Sequence, residues 1–135
     1  MKNALVAVFF AFLTVSGRQA DDWQRADVYF IDWSVLTRAA LTPERVRQLA
    51  DHKHTFRGDA PAVARLLELA TLKPAADNSQ EDARFVIDLF DDTMQRRTYY
   101  ASCFNFCSAD NKRKRAIDDQ FRQLLARLAK QHKTK

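Results

Sequence analysis

Cys103 and Cys107 are the only thiols of this chain, four positions apart in the aromatic stretch YYASCFNFC, residues 99–107. Such a pair could form a disulfide, supply half of a metal site, or pack as two small buried hydrophobes. C-x3-C without a second pair lacks the four ligands zinc needs. In a fully extended segment the two residues would stand about 13 Å apart at roughly 3.3 Å per residue. A disulfide tolerates a Cα separation of at most about 6.8 Å. Bridging therefore requires a turn through Phe104, Asn105 and Phe106, and Asn105 permits one. An even cysteine count in an exported chain favours oxidation, so a structural Cys103–Cys107 bridge is expected.

Three other groupings could carry chemistry. His52 and His54 would share a face of an extended segment, with Asp51 adjacent, as two imidazoles and a carboxylate for a divalent ion. Lys53 between them opposes a cation and no third histidine is placed to help, so no metal is expected. Asp32 in YFIDW and Asp88 in FVIDLF could act as acid and base, and two carboxylates about 5–9 Å apart would suit glycoside hydrolysis. On a half-exposed sheet face, however, an aspartate ordinarily pairs with a base on a neighbouring strand. Arg97 is available to Asp88. Ser34, Ser102 and Ser108 have no base at a diagnostic spacing. Glycine is nearly absent: Gly17 and Gly58 are the only two. Phosphate-cradling loops and the nucleophile elbow need several glycines, which excludes P-loop, dinucleotide and G-x-S-x-G chemistry. No cofactor and no catalysis are expected.

The elements that must position these residues follow from hydrophobic periodicity. ADVYFIDWSVL alternates as a strand over 26–36, and RFVIDLFD (84–91) and RRTYYASCF (96–104) form a hairpin. Its DDTMQ connection lacks Gly or Asn, which predicts a three- to five-residue loop built on a type I turn. DHKHTFRG leaves room for a strand near 53–57. A helix over 42–50 has Thr42 as N-cap, Pro43 in its first position and Glu44 at its positive end. Val63, Leu66, Leu67 and Ala70 stripe a second helix over 59–72. Ile117, Phe121, Leu124, Leu125 and Leu128 stripe a third over 113–130. The polar segment 73–82 is the most exposed loop. The expected fold is α+β, a mainly antiparallel sheet with the helices packed on one face.

The N-terminus reads MKNALVAVFFAFLTVSG: one lysine, an uncharged apolar run from Ala4 to Val15, then Val15 and Gly17 at the −3 and −1 positions of a cut. That is the pattern of a cleavable secretory signal over 1–17. The run of twelve is too short for the roughly 20 residues of a spanning helix. The expectation is a single exported domain, 18–135, in a periplasm or outside the cell, with no transmembrane segment once the signal is removed.

The charge is split. Residues 112–135 hold nine Lys or Arg against Asp118 and Asp119, whereas residues 18–111 hold twelve against fifteen acids. Export argues against nucleic acid as the partner of the KRKR run. Arg and Tyr anchor protein interfaces, and RRTYY on the hairpin offers both. The expected surface is Arg96, Arg97, Tyr99 and Tyr100, with Lys112, Arg113, Lys114 and Arg115. The function this favours is non-catalytic binding of another exported protein, as an inhibitor or immunity-type partner. Two alternatives are a basic module for an anionic envelope polymer or lipid headgroups, and a small hydrolase using Asp32 and Asp88.

Overall fold

The computed structural model describes residues 23–58 and 60–130. The predicted signal, residues 1–17, lies outside them. Seven strands and three helices follow in the order β1 (Arg25–Phe30), α1 (Pro43–Leu49), β2 (His52–Arg57), α2 (Pro61–Leu69), β3 (Lys73–Pro74), β4 (Phe85–Phe90), β5 (Arg96–Ala101), β6 (Asn105–Ser108), β7 (Arg113–Ala116) and α3 (Asp119–Lys130). The strands form one antiparallel sheet in the order β2-β1-β4-β5-β6-β7-β3. The α+β class therefore stands. No helix among the described residues is long and apolar enough to cross a membrane.

Strict alternation divides the sheet into two faces. On one, Ala26, Val28, Phe30, Phe85, Ile87 and Phe106 are buried under Val63 and Leu66 of α2 and Phe121, Leu125 and Leu128 of α3. On the other, Tyr29, Val86, Tyr100 and Cys107 pack with Val46 of α1 and with Leu41. The helices thus occupy both faces, two against one. The expected single helical face fails because β4 is buried along most of its length, so each of its sides needs a cover.

Local polar chemistry moves several element ends. The first strand stops at Phe30, not at 36, because the Asp32 side chain accepts from Ser34 N (3.2 Å) and Ser34 Oγ (3.0 Å) and turns the chain. The second hairpin strand stops at Ala101, where Ser102 Oγ accepts from the amides of Phe104 (3.1 Å) and Asn105 (3.0 Å). The chain reverses there into β6, a strand the periodicity did not reveal. The last helix begins at Asp119, not 113. Asp118 caps it, accepting from Phe121 N at 2.8 Å, whereas a run of four bases would oppose the positive end of a helix. KRKR instead enters β7. The second helix runs from Pro61 to Leu69, shorter than 59–72, and Asp59 lies outside the described residues.

Other expectations hold. Thr42 caps α1 through Arg45 N (3.2 Å) with Pro43 next to it. The 91–95 connection is a turn closed by Met94 N on Asp91 O (3.1 Å), with Met94 left-handed at φ 65°. That is a type I turn followed by a left-handed residue, a common three-residue hairpin. Gly58 is required by a close approach: a Cβ there would lie 2.9 Å from Trp23 O.

Candidate functional site

Asp88 is 1 % exposed and points to the single-helix face. Arg47 of α1 reaches it as a fork, Nε on Oδ2 at 2.8 Å and Nη2 on Oδ1 at 2.9 Å. Thr98 Oγ1 donates to Oδ1 at 2.6 Å. The base is therefore Arg47 from a helix, not Arg97. Arg97 is paired with Leu89 in the ladder, which places it on the two-helix face. Asp32 is gripped by Lys130 Nζ at 2.8 Å, from the end of α3. The two aspartates are thus held by helices on opposite faces and form no acid–base pair.

The carboxylate that does stand opposite Asp88 is Asp27, its ladder partner on β1, with Cβ atoms of such neighbours about 4.5–5.5 Å apart. Thr55 Oγ1 donates to Asp27 at 2.9 Å, and Arg25 Nε lies 3.3 Å away without hydrogen-bond alignment. Burial raises the pKa of the neighbouring Tyr29, and the negative charges of Asp27 and Asp88 add to that. Asp88 accepts on both oxygens from Arg47 and Asp27 accepts from Thr55, so this arrangement fastens α1 to the sheet. The alternation Arg25, Asp27, Tyr29 in RADVYF was the signal for it. The β1–β4 register that brings it to Asp88 is not in the sequence.

A second polar cluster lies where KRKR enters the sheet. Lys114 Nζ meets Glu81 at 2.8 Å and Ser79 O at 3.0 Å. The same carboxylate accepts from Ser102 Oγ (2.6 Å) and Asn105 Nδ2 (3.0 and 3.1 Å). Burial pushes Glu81 up, but the bonds from Lys114, Ser102 and Asn105 outweigh it and hold its pKa below the usual value. Tyr100 is fully buried, accepting from Glu81 N at 3.0 Å and donating to Asn111 Oδ1. It cannot belong to the expected surface. Tyr99 is half-buried and stacked on Phe106, centroids 5.8 Å apart.

Strand alternation also divides KRKR. Lys112 and Arg113 are exposed, Arg113 donating to Leu72 O at 3.2 Å, and Arg115 lies over the Phe121 ring at 4.5 Å. The four bases are not one patch.

Cys103 and Cys107 are both free, against the expected bridge. The reason is the hairpin. Its tip is Cys103–Phe104, closed by Ser102 N on Asn105 O at 2.9 Å. β6 then carries Cys107 away into the sheet, opposite Tyr100. Burial pushes the Cys107 thiol up to about 11, with the Glu81 charge adding.

His52 and His54 do share a face of β2, where His54 meets Phe56 edge-on at 4.4 Å and His52 lies 6.0 Å from Phe30. Asp51 is exposed. Among the described residues no three His, Cys, Asp or Glu side chains are grouped to hold a metal.

Basic side chains gather elsewhere on the single-helix face. Arg57 is the ladder partner of Arg25, Arg25 of Phe90, and Phe90 of Arg96. These four residues form a row across β2, β1, β4 and β5, beyond the Asp27–Asp88 row. Arg57 and Arg96 are exposed, and their side chains make no ion pair or hydrogen bond with the described residues. Arg25 is 41 % exposed in its side chain and stacks over the Phe90 ring at 4.2 Å. Lys53, exposed on the same face, lies over Tyr29 at 5.2 Å. By contrast, Arg47, Arg84, Lys114, Arg122 and Lys130 are each paired with a carboxylate of the same chain. The hairpin acid Asp91 likewise accepts from Thr93 and Gln95. Of the expected surface, only Arg96 joins this row.

No family model, curated protein or solved structure matches the chain.

Proposed function

We propose that this chain is a small exported, non-catalytic protein-binding domain, an inhibitor or immunity-type partner of another exported protein. The observation that carries the reading is the arginine row: Arg57, Arg25 and Arg96 around Phe90, one row beyond the Asp27–Asp88 pair to which α1 is fastened. Arg and aromatic side chains are the residue types that dominate binding energy at protein interfaces. Here two of the three arginines have no side-chain partner among the described residues, and the third is held in place by stacking on Phe90. Asp88 and Glu81 inside the fold are engaged on both oxygens by hydrogen bonds and ion pairs, which favours binding over acid–base chemistry. Export rests on the pattern of residues 1–17.

The test is a pull-down with the chain lacking residues 1–17 from an envelope extract of the cells that make it, washed at low and then high salt. One protein retained in stoichiometric amount through high salt supports the proposal. Recovery of polymer or lipid at low salt alone would move the function to the basic-module reading.

A further inference from the structure

The proposed protein-binding role leaves open what the partner presents, and the spacing of the arginine row bears on that. Neighbouring strands lie about 4.8 Å apart, so Arg57, Arg25, Phe90 and Arg96 succeed one another at nearly that step, over roughly 14 Å. Successive turns of an α-helix rise about 5.4 Å. A helix laid across the strands therefore keeps pace with the row, drifting by roughly 2 Å over three turns, within the reach of an arginine side chain. An extended partner presents one side chain per face every ~6.7 Å, and so drifts by about 2 Å at each step, or about 6 Å over the row.

We infer that the row receives an acidic helix of the partner. Its carboxylates stand at positions i, i+4 and i+11 over Arg57, Arg25 and Arg96, and an apolar side chain at i+7 stands over Phe90. At 3.6 residues per turn these four positions fall on one narrow stripe. The inference rests on the proposed function and narrows it. Carboxylates complement the two arginines that lack side-chain partners among the described residues, and Arg25, 41 % exposed in its side chain, holds its guanidinium over the Phe90 ring with Nε 3.3 Å from Asp27. Fork-shaped guanidinium–carboxylate pairing gives such a contact direction as well as charge. Asp27 and Asp88 behind the row, held by Thr55 and Arg47, disfavour an acid that slides inward.

The probe is a synthetic helical peptide with Glu at i, i+4 and i+11 and Leu at i+7, titrated into the ¹⁵N-labelled chain. An isomer of identical composition places the same four residues at i, i+2, i+4 and i+6. The expected result is binding of the first peptide with amide shifts centred on Arg25, Arg57, Phe90 and Arg96. The Arg57→Glu/Arg96→Glu variant should bind at least tenfold more weakly, and Lys73→Glu, on the far strand β3, should bind as the parent does. Both altered arginines are exposed and have no side-chain partner among the described residues, so a matching amide spectrum certifies the fold of that variant. Equal binding of the isomer, shifts centred elsewhere, no binding, or tighter binding of polyphosphate at the same residues would each overturn the helix inference. The pull-down would still report separately on whether a protein partner exists.

Discussion

Arg47 grips both carboxylate oxygens of Asp88, through Nε at 2.8 Å and Nη2 at 2.9 Å, and so ties α1 to the middle of the sheet. The acid is almost wholly buried. Removing one member of a buried pair strands the other, at about 3–5 kcal/mol. Asp88→Asn and Arg47→Met should each cost that much in denaturant unfolding. The double replacement Arg47→Met/Asp88→Leu should recover most of the loss, because apolar side chains fill such a site at little cost.

Gly58 sets how closely the end of β2 approaches the chain entering β1. A Cβ would lie 2.9 Å from Trp23 O and 3.3 Å from Gln24 Cα, both backbone atoms that cannot swing aside. Gly58→Ala should therefore destabilise by about 1–3 kcal/mol, read from the urea midpoint. At the opposite extreme, Met94 holds φ 65° at the hairpin tip, where glycine pays no steric penalty. Met94→Gly should leave stability unchanged or raise it by about 0.5 kcal/mol.

The thiols differ in surroundings. Cys107 is buried, with its pKa pushed up to about 11 by that burial, whereas Cys103 sits half-buried at the tip of the β5–β6 hairpin. Iodoacetamide at pH 8 should label Cys103 in the native protein and reach Cys107 only after unfolding. Mass spectrometry of the native protein should show one adduct. Failure to label either thiol even in denaturant without reductant would restore the bridge.

Acid should loosen the end of α3 before it unfolds the sheet. The hydrogen bond from Lys130, with those from Ser34, holds Asp32 at about 2, below its usual value. A depressed folded-state pKa stabilises above the unfolded value, near 3.9, and that contribution is lost as pH falls through the folded value. The window is thus about pH 4 down to about 2. With both side chains more than a third exposed, the pair is worth under about 1 kcal/mol. Asp32→Asn should lower stability slightly at pH 6 and flatten its fall between pH 4 and 2, measured by thermal unfolding across that range.

How much of this was legible in the sequence divides along physical lines. Elements fixed by their own residues were readable: Thr42–Pro43 starts α1, the stripe through Phe121, Leu125 and Leu128 marks α3, and alternation marks β4 and β5. Elements fixed by a distant partner were not. KRKR is strand because β6 lies beside it and Glu81 receives Lys114. Arg25 and Arg57 meet only through the β1–β2 register, so the arginine row, scattered over four strands, left a single legible member, Arg96. Tyr100 read as exposed because nothing local reveals that Asn111, left-handed at φ 64°, closes over its hydroxyl.

The measurement that tests the central claim most directly is site-specific photo-crosslinking in the cells that make the protein. A photoreactive residue is placed in turn at 57, at 96 and, on the far edge of the sheet, at 73. The arginine-row account predicts one discrete protein adduct from positions 57 and 96 and none from 73. An adduct from 73 with none from 57 or 96 would contradict it.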